Sequence, residues 1–209
     1  MKTLKDSLLM CDSTEGDGKA EIVMDYVMSY SLRHAEDEYK KENKQILSKY
    51  CRYMLGKLLG IAIDEATCVT SVKVWKEWHH MDLCAEVKLT RRGQEEYYAL
   101  LIENKYYSPL HYKRDAKGTW RNQVDVYKEI FESYYNSLPD KEKWNLRYAL
   151  VSCFESSDNK IHMYDEALKF GFKVFGFYDL FDDTFKNKET GTYEETESEI
   201  FNEFWLRKW

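Results

Sequence analysis

The chain has 209 residues, 44% hydrophobic and 16% aromatic, with 17 tyrosines and 6 tryptophans. That content speaks against a disordered tail or a minimal disulfide-stapled scaffold, and the length suits one compact domain of the usual roughly 100 to 200 residues. A formal net charge of -6 speaks against a nonspecific nucleic-acid binder, because neutralising phosphates takes clustered lysine and arginine.

The opening "MKTLKDSLLMCDS" holds an apolar run too short for a signal peptide, and no stretch approaches the roughly 20 apolar residues that span a bilayer. A cytoplasmic protein without membrane contact is therefore expected. Five widely spaced cysteines with no CxxC pair fit a reducing compartment better than a zinc site or a disulfide framework. "STEGDGKA" (13–20) reads as a loop. After it Ile22, Val23, Tyr26, Val27, Tyr30 and Leu32 recur at helical spacing, which predicts a helix from Glu21 to about Arg33. Past the charged connection "HAEDEYKKENKQ", Ile46, Tyr50, Tyr53, Met54 and Leu58 stripe a second helix that Gly60 can end.

The texture changes at Val69. "VTSVKVWKEW" alternates as a strand, and "HHMDLCAEVKL" continues the pattern, with Leu83, Ala85 and Val87 on one face and Asp82, Cys84 and Glu86 on the other. "TRRGQ" is a turn around Gly93, and "EEYYALLIENK" is the returning strand, so Asp82 to Lys105 reads as a β-hairpin. A basic loop with Pro109 follows, then a helix marked by Val124, Tyr127, Ile130, Phe131 and Tyr134. "NLRYALVSCF" and "GFKVFGFYDL" read as buried strands, in which Cys84 and Cys153 are expected to be core residues. Glu195 to Leu206 reads as a last helix in an acidic, solvated tail. The expected organisation is one α/β domain: a helical part at 1–65, a mixed sheet flanked by helices at 66–180, and an acidic C-terminal helix at 181–209. The long helical crossover would make the strands of Glu103 and Tyr148 parallel.

The hairpin places charge. On a strand Glu103 and Lys105 point to the same side, roughly 6 to 7 Å apart. Gly93 lies eleven residues after Asp82 and ten before Glu103, so both carboxylates reach the open end together. Two carboxylates suit a hard divalent cation such as Mg²⁺ that keeps its waters and shares a substrate phosphate, and a lysine beside it can orient water or stabilise developing charge. The plainer alternative is a solvated strand end with a weak ion pair. His79 and His80 face opposite ways on a strand, so at most one could join.

Asp82 followed by Glu103-Asn104-Lys105 resembles the signature of the PD-(D/E)XK nuclease superfamily. "MDLCAEV", "YYALLIENKYYS" and "NQVDVY" resemble the branch with an IDI strand, an IIENK strand and a Q-x-x-x-Y helix. The likeness runs from about Glu21 to Phe154, with specific residues only between Asp82 and Tyr127, and Met81 stands where the name-giving proline would be. It implies a restriction-endonuclease-like core in which Asp82 and Glu103 bind Mg²⁺ (or Mn²⁺), the Asn104 carbonyl is a further ligand, and Lys105 assists catalysis. Gln123 and Tyr127 match the helix motif and share one helical face; Tyr127 also suits the core alone. A glutamate on an opening helix is matched by Glu21, with Asp25 and Glu36 as competitors.

In "HYKRDAKGTWR" (111–121), Lys113, Arg114, Lys117 and Arg121 face one aspartate and read as a phosphate-binding rim or as ordinary surface, with Trp120 stacking on a base or anchoring the loop. The expected activity is metal-dependent phosphodiester hydrolysis, with DNA as the nucleic-acid partner, as in bacterial or phage defence; a homodimer is left open. The alternative from another class is a catalytically silent nuclease-fold module in a DNA-processing or defence complex. A small-molecule enzyme finds no glycine-rich phosphate loop or nucleophile elbow here.

Overall fold

The computed structural model describes residues 20–41, 44–115, 117–154 and 158–207; Cys11 and residues 13–19 of the expected first loop lie outside them. Two helices come first, α1 (Ala20–Arg33) and α2 (Gln45–Leu59). α2 stops where Gly60 turns left-handed at φ 72° and its N–H caps the carbonyls of Gly56 and Lys57, a conformation that costs glycine no steric penalty. Strands β1 (Cys68–Lys76), β2 (Leu83–Arg91) and β3 (Gln94–Lys105) follow, then a ribbon of β4 (Tyr112–Arg114) and β5 (Trp120–Asn122). Next come α3 (Gln123–Ser137), β6 (Trp144–Ser152), α4 (Asp165–Lys169) and β7 (Lys173–Gly176).

The main sheet runs β1-β2-β3-β6-β7. β1, β2 and β3 are antiparallel, and β3, β6 and β7 are parallel, the mixed sheet that the helical crossover predicts. The β2–β3 hairpin closes on Arg92 and Gly93, at φ 53° and 77°. A turn with both central residues at positive φ matches the twist of the flanking strands. Arg91 pairs with Gln94 and Leu83 with Ile102, so Asp82, one step further, reaches Glu103 as the spacing predicts.

Helices cover both faces. Leu83, Ala85, Val87, Leu100 and Ile102 join the core of α1 and α2, while Cys84, Ala99 and Leu101 join Val124, Tyr127 and Phe131 of α3. Some details depart from the sequence reading. The buried stripe of α1 is Met24, Val27, Met28 and Leu32, whereas Ile22 and Tyr26 are exposed. Tyr134 of α3 is likewise exposed and Tyr135 takes its place inside. β1 stops at Lys76, because Glu77, His79 and His80 all adopt positive φ and turn the chain out of the extended path before β2. Cys153 sits just past β6, partly exposed, while Cys84 is buried.

The acidic tail differs most. Its helix begins only at Glu199, capped by Ser198, and winds as a π-helix from Asn202 to Leu206. Phe181, Phe185, Tyr193, Phe201, Phe204 and Trp205 are buried within the α1–α2 core, so this segment is a structural lid rather than a solvated face. Among its acids, Glu197 accepts from the N–H groups of Ile46 and Leu47 at 3.1 and 2.9 Å, satisfying free donors at the start of α2. Trp205 is fully buried, donates from Nε1 to the Ser31 hydroxyl at 2.9 Å and packs 4.6 Å from the Phe177 ring. Trp205→Ala should lower stability by about 3–5 kcal/mol, the usual cost of emptying a large aromatic site. Urea unfolding read by far-UV circular dichroism checks this.

Candidate active site

β3 is the central strand, buried from Tyr98 to its end at Lys105. Its last three residues are polar and yet nearly inaccessible: Glu103 is 2% exposed, Asn104 0% and Lys105 3%. Alternation sends Glu103 and Lys105 to the α3 side and Asn104 to the α1 side. Lys105 Nζ lies 2.7 Å from Glu103 Oε1. The same oxygen accepts from Nε2 of Gln123, the first residue of α3. Gln123 is fixed in turn, since its Oε1 accepts from the His111 N–H at 3.0 Å and its own N–H donates to the His111 carbonyl at 2.8 Å. Glu103 Oε2 is buried without a hydrogen-bond partner among the described residues.

Asp82 stands at the open end of the hairpin. Its Oδ2 accepts from the Asn104 main-chain N–H at 2.8 Å, in the position that another β2 residue would otherwise fill. The N–H and C=O of one strand residue leave on the same edge, so the Asn104 main-chain carbonyl also points toward Asp82. The Asn104 side chain does not; it donates to Asp25 Oδ1 at 2.8 Å on the far side of the sheet. Of the two Asn104 carbonyls, the main-chain one is therefore on the Asp82 side. Glu21, in the first turn of α1, accepts from the Tyr106 N–H at 3.0 Å and from the Ser108 hydroxyl, which places it beside the end of β3. Of its competitors, Glu36 lies elsewhere, accepting from the Val72 N–H at 2.6 Å.

Asp25 belongs to the neighbourhood together with Glu21 and also meets Lys76 Nζ at 3.4 Å. Its position one helical turn after Glu21 was a readable signal. Lys76 carried none.

The basic stretch is the β4–β5 ribbon rather than a loop, and only one of its four cations reaches the site. Lys113 Nζ lies 2.5 Å from the Tyr127 hydroxyl and 4.6 Å from its ring centre. Arg121 is occupied by Asp125 at 2.7 Å, Asp115 at 3.6 Å and Glu129, so its charge is offset within the chain. Arg114 is exposed and sits 5.2 Å from the ring of Trp120, itself exposed. Lys117 is exposed at the ribbon tip, and His79 and His80 are exposed outside the site.

Burial dominates the electrostatics. It lifts Asp82 from the usual carboxylate range to about 8, helped by Glu103 and Asp25 and opposed by Lys105 and the Asn104 N–H. Burial also raises Glu103, with Lys105 pulling the other way. On Lys105 burial acts to lower the pKa, but attraction from Glu103, Glu21 and Asp82 outweighs it and the ammonium is held above its ordinary value. Lys105 therefore carries its proton at neutral pH. Burial raises the Tyr127 phenol, with Glu103 and Asp82 adding to it, so that group stays protonated too.

Among the described residues no three His, Cys, Asp or Glu side chains form a ready-made metal cage. Mg²⁺ does not require one, since it is commonly bound by one or two carboxylates and completes its shell with water and phosphate. Asp82, the unpartnered Oε2 of Glu103 and the Asn104 main-chain carbonyl form such a partial set, and a buried oxygen without a donor is what an absent cation would explain. No protein-family profile, curated protein or solved structure matches the chain. No helix among the described residues is long and apolar enough to cross a membrane.

The raised Asp82 carboxyl has a thermodynamic consequence. The folded value, about 8, exceeds the ordinary 3.8, so the stability it contributes is fully present below the ordinary value and is lost as pH rises through the folded one. In EDTA the urea midpoint should fall between pH 5 and 8.5, and fall less in Asp82→Asn. Equal slopes in the two proteins would refute the assignment.

Proposed function

We propose that the chain is a Mg²⁺- or Mn²⁺-dependent phosphodiester hydrolase acting on DNA, built on a restriction-endonuclease-like core. The observation that carries this reading is the convergence of Asp82, Glu103 and Lys105 at the end of one hairpin, with Gln123 bound to Glu103. The strand–turn–strand–helix order that makes them meet is the one the sequence resemblance implies. Asp82, Glu103 Oε2 and the Asn104 main-chain carbonyl would hold the cation. Bound there, a divalent cation lowers the pKa of a water and offsets negative charge on the phosphate.

The chain's own groups divide the remaining work. Lys105, protonated and anchored on Glu103, is no general base; an ammonium has three donors, and those not engaged by Glu103 can orient the attacking water or neutralise a phosphate oxygen. Gln123 locks the Glu103 side chain, because its other end is tied to His111. Tyr127 positions Lys113 as a second cation on the substrate side. Glu21 ties the 106–108 segment, just beyond Lys105, to α1. Because Glu103 and Lys105 are nearly inaccessible, substrate would have to displace what covers them, a gating step familiar in enzymes whose loops close over the reacting groups.

A second reading has specific support. The near-complete burial of Glu103, Lys105 and Gln123, and the engagement of Arg121 by three carboxylates, favour a catalytically silent binding module. Cleavage of single-stranded, duplex and branched DNA and of RNA, with and without Mg²⁺, separates the two. We expect Mg²⁺-dependent cleavage of DNA that falls about a hundredfold or more in Asp82→Asn and Lys105→Met, in keeping with the loss of a transition-state contact. Removing one partner of a buried pair can cost about 3–5 kcal/mol of stability, so circular dichroism and the double variant Glu103→Gln/Lys105→Met serve as fold controls. Calorimetry should show Mg²⁺ binding that releases protons and tightens as pH rises toward 8. Neither binding nor cleavage in the intact chain would leave the module reading.

A further inference from the structure

Away from the buried pair, still on the α3 side of the sheet, lies a cavity of about 130 Å³ lined by Trp75, Trp78, Cys84, Glu86, Tyr134 and Tyr135. Its walls come from β1, β2, α3 and the turn after β1. β1 sets Trp75 across from Cys84 and diagonal to Glu86. α3 contributes Tyr134 and Tyr135, and the turn after β1 contributes Trp78. The Tyr134 ring stands at 72° to Trp78, 4.9 Å away, and at 90° to Tyr135, 5.1 Å away. These rings meet as the corners of a box rather than as a stack. Trp75 and Tyr134 remain 42% and 44% exposed, so the box is open to solvent.

A carboxylate completes it. Glu86 Oε1 accepts from the Tyr135 hydroxyl at 3.2 Å. Lys73, opposite Glu86 in the ladder, makes no ion pair with it, so the carboxylate keeps acceptor capacity among the described residues. Trp78 is held here by an unusual backbone: Glu77, His79 and His80 on either side all have positive φ, a conformation that residues other than glycine adopt only at a cost in strain. Part of that cost sets up Asp82, whose carbonyl accepts from the Glu77 N–H at 3.3 Å. The orientation of Trp78 comes from the same turn.

We propose that this pocket is a second binding site, which takes a methylated ammonium group, carried by a small molecule or by a modified lysine of another protein. Ring faces carry negative potential and attract a cation, most strongly from tryptophan, and Glu86 supplies the opposite charge. A primary ammonium would want three acceptors, whereas the walls offer one carboxylate among aromatic rings; methyl groups bury their surface against those rings instead. The cavity, about 130 Å³, has room for such a compact head. The acidic wall also disfavours a phosphate beside it.

The test uses the full chain at constant ionic strength and does not depend on catalysis. Tryptophan fluorescence follows titration with tetramethylammonium chloride, choline, its neutral isostere 3,3-dimethylbutanol, a trimethyl-lysine peptide with its unmodified counterpart, and cytidine. Saturable binding of tetramethylammonium, about tenfold or more tighter than the neutral isostere and weakened about tenfold in Tyr134→Ala and Glu86→Gln, supports the site. Both variants alter side chains that are not fully buried, and circular dichroism verifies their fold. Preference for the trimethyl-lysine peptide over choline and over the unmodified peptide assigns the ligand to a protein; the reverse assigns it to a small molecule. Equal binding of the isostere, binding of cytidine but not of the ammonium ions, no saturable binding, or unchanged affinity in both variants would overturn the proposal.

Discussion

A glutamate and a lysine in contact at 2.7 Å at the buried end of the central strand impose the constraint on which the surrounding structure turns. Taking two charges out of water costs several kcal/mol per ion, and their mutual attraction recovers it only when the geometry is good and the remaining valences are met. The fold meets them only in part. Gln123 donates to Glu103, while Glu21 binds the segment just beyond Lys105. Glu103 Oε2 is left over. A well-packed apolar pair would serve stability at least as well at this position, so stability alone does not account for the arrangement. Perturbed, charge-coupled groups of this kind concentrate where chemistry or binding uses them.

Two backbone devices bring Asp82 to that pair. The Arg92–Gly93 turn fixes the hairpin register, and because side chains alternate, a slip of one residue would turn Asp82 to the opposite face. The Glu77–His80 turn then takes the chain out of the ladder, which leaves the Asn104 N–H unpaired by main chain and open to the Asp82 carboxylate. Neither device acts alone: the first sets how far along the strand the carboxylate sits, and the second gives it room to sit at the edge. The second also carries Trp78 to the aromatic box, so one irregular turn serves two places on the same side of the sheet.

What the sequence revealed follows from how local each signal is. Hairpin register depends on a turn and an alternation, both written within 24 residues from Asp82 to Lys105, and it was legible. The Q-x-x-x-Y spacing likewise put Gln123 and Tyr127 on the face that meets Glu103. Left-handed Glu77, His79 and His80 were not legible, because no glycine marks them. The α1 stripe was misphased because tyrosine suits a boundary as well as a core; methionines carry the buried face instead. In the tail the acids suggested solvent, yet its aromatics, spaced irregularly through loops, decide the burial. The role of Arg121 could have been read: Asp125 follows it by four residues and Glu129 by eight, so both lie on the same side of the coming helix.

The balance of charge at the site bears on how a substrate could be held. Glu21, Asp25, Asp82 and Glu103 act on one another through a poorly solvated region, and Lys76, Lys105 and Lys113 only partly offset them. Without a further cation, burial first and mutual repulsion second favour protons on the cluster, as in the raised Asp82. A phosphate approaching it would meet the same excess. On the proposed reading a divalent cation removes both difficulties together: it replaces the protons on the carboxylates and makes the site attractive to an anion. Cation and substrate would then favour each other's binding by the same factor, as linkage requires. With Arg121 engaged within the chain, that coupling, more than a standing basic surface, would draw nucleic acid to this acidic protein.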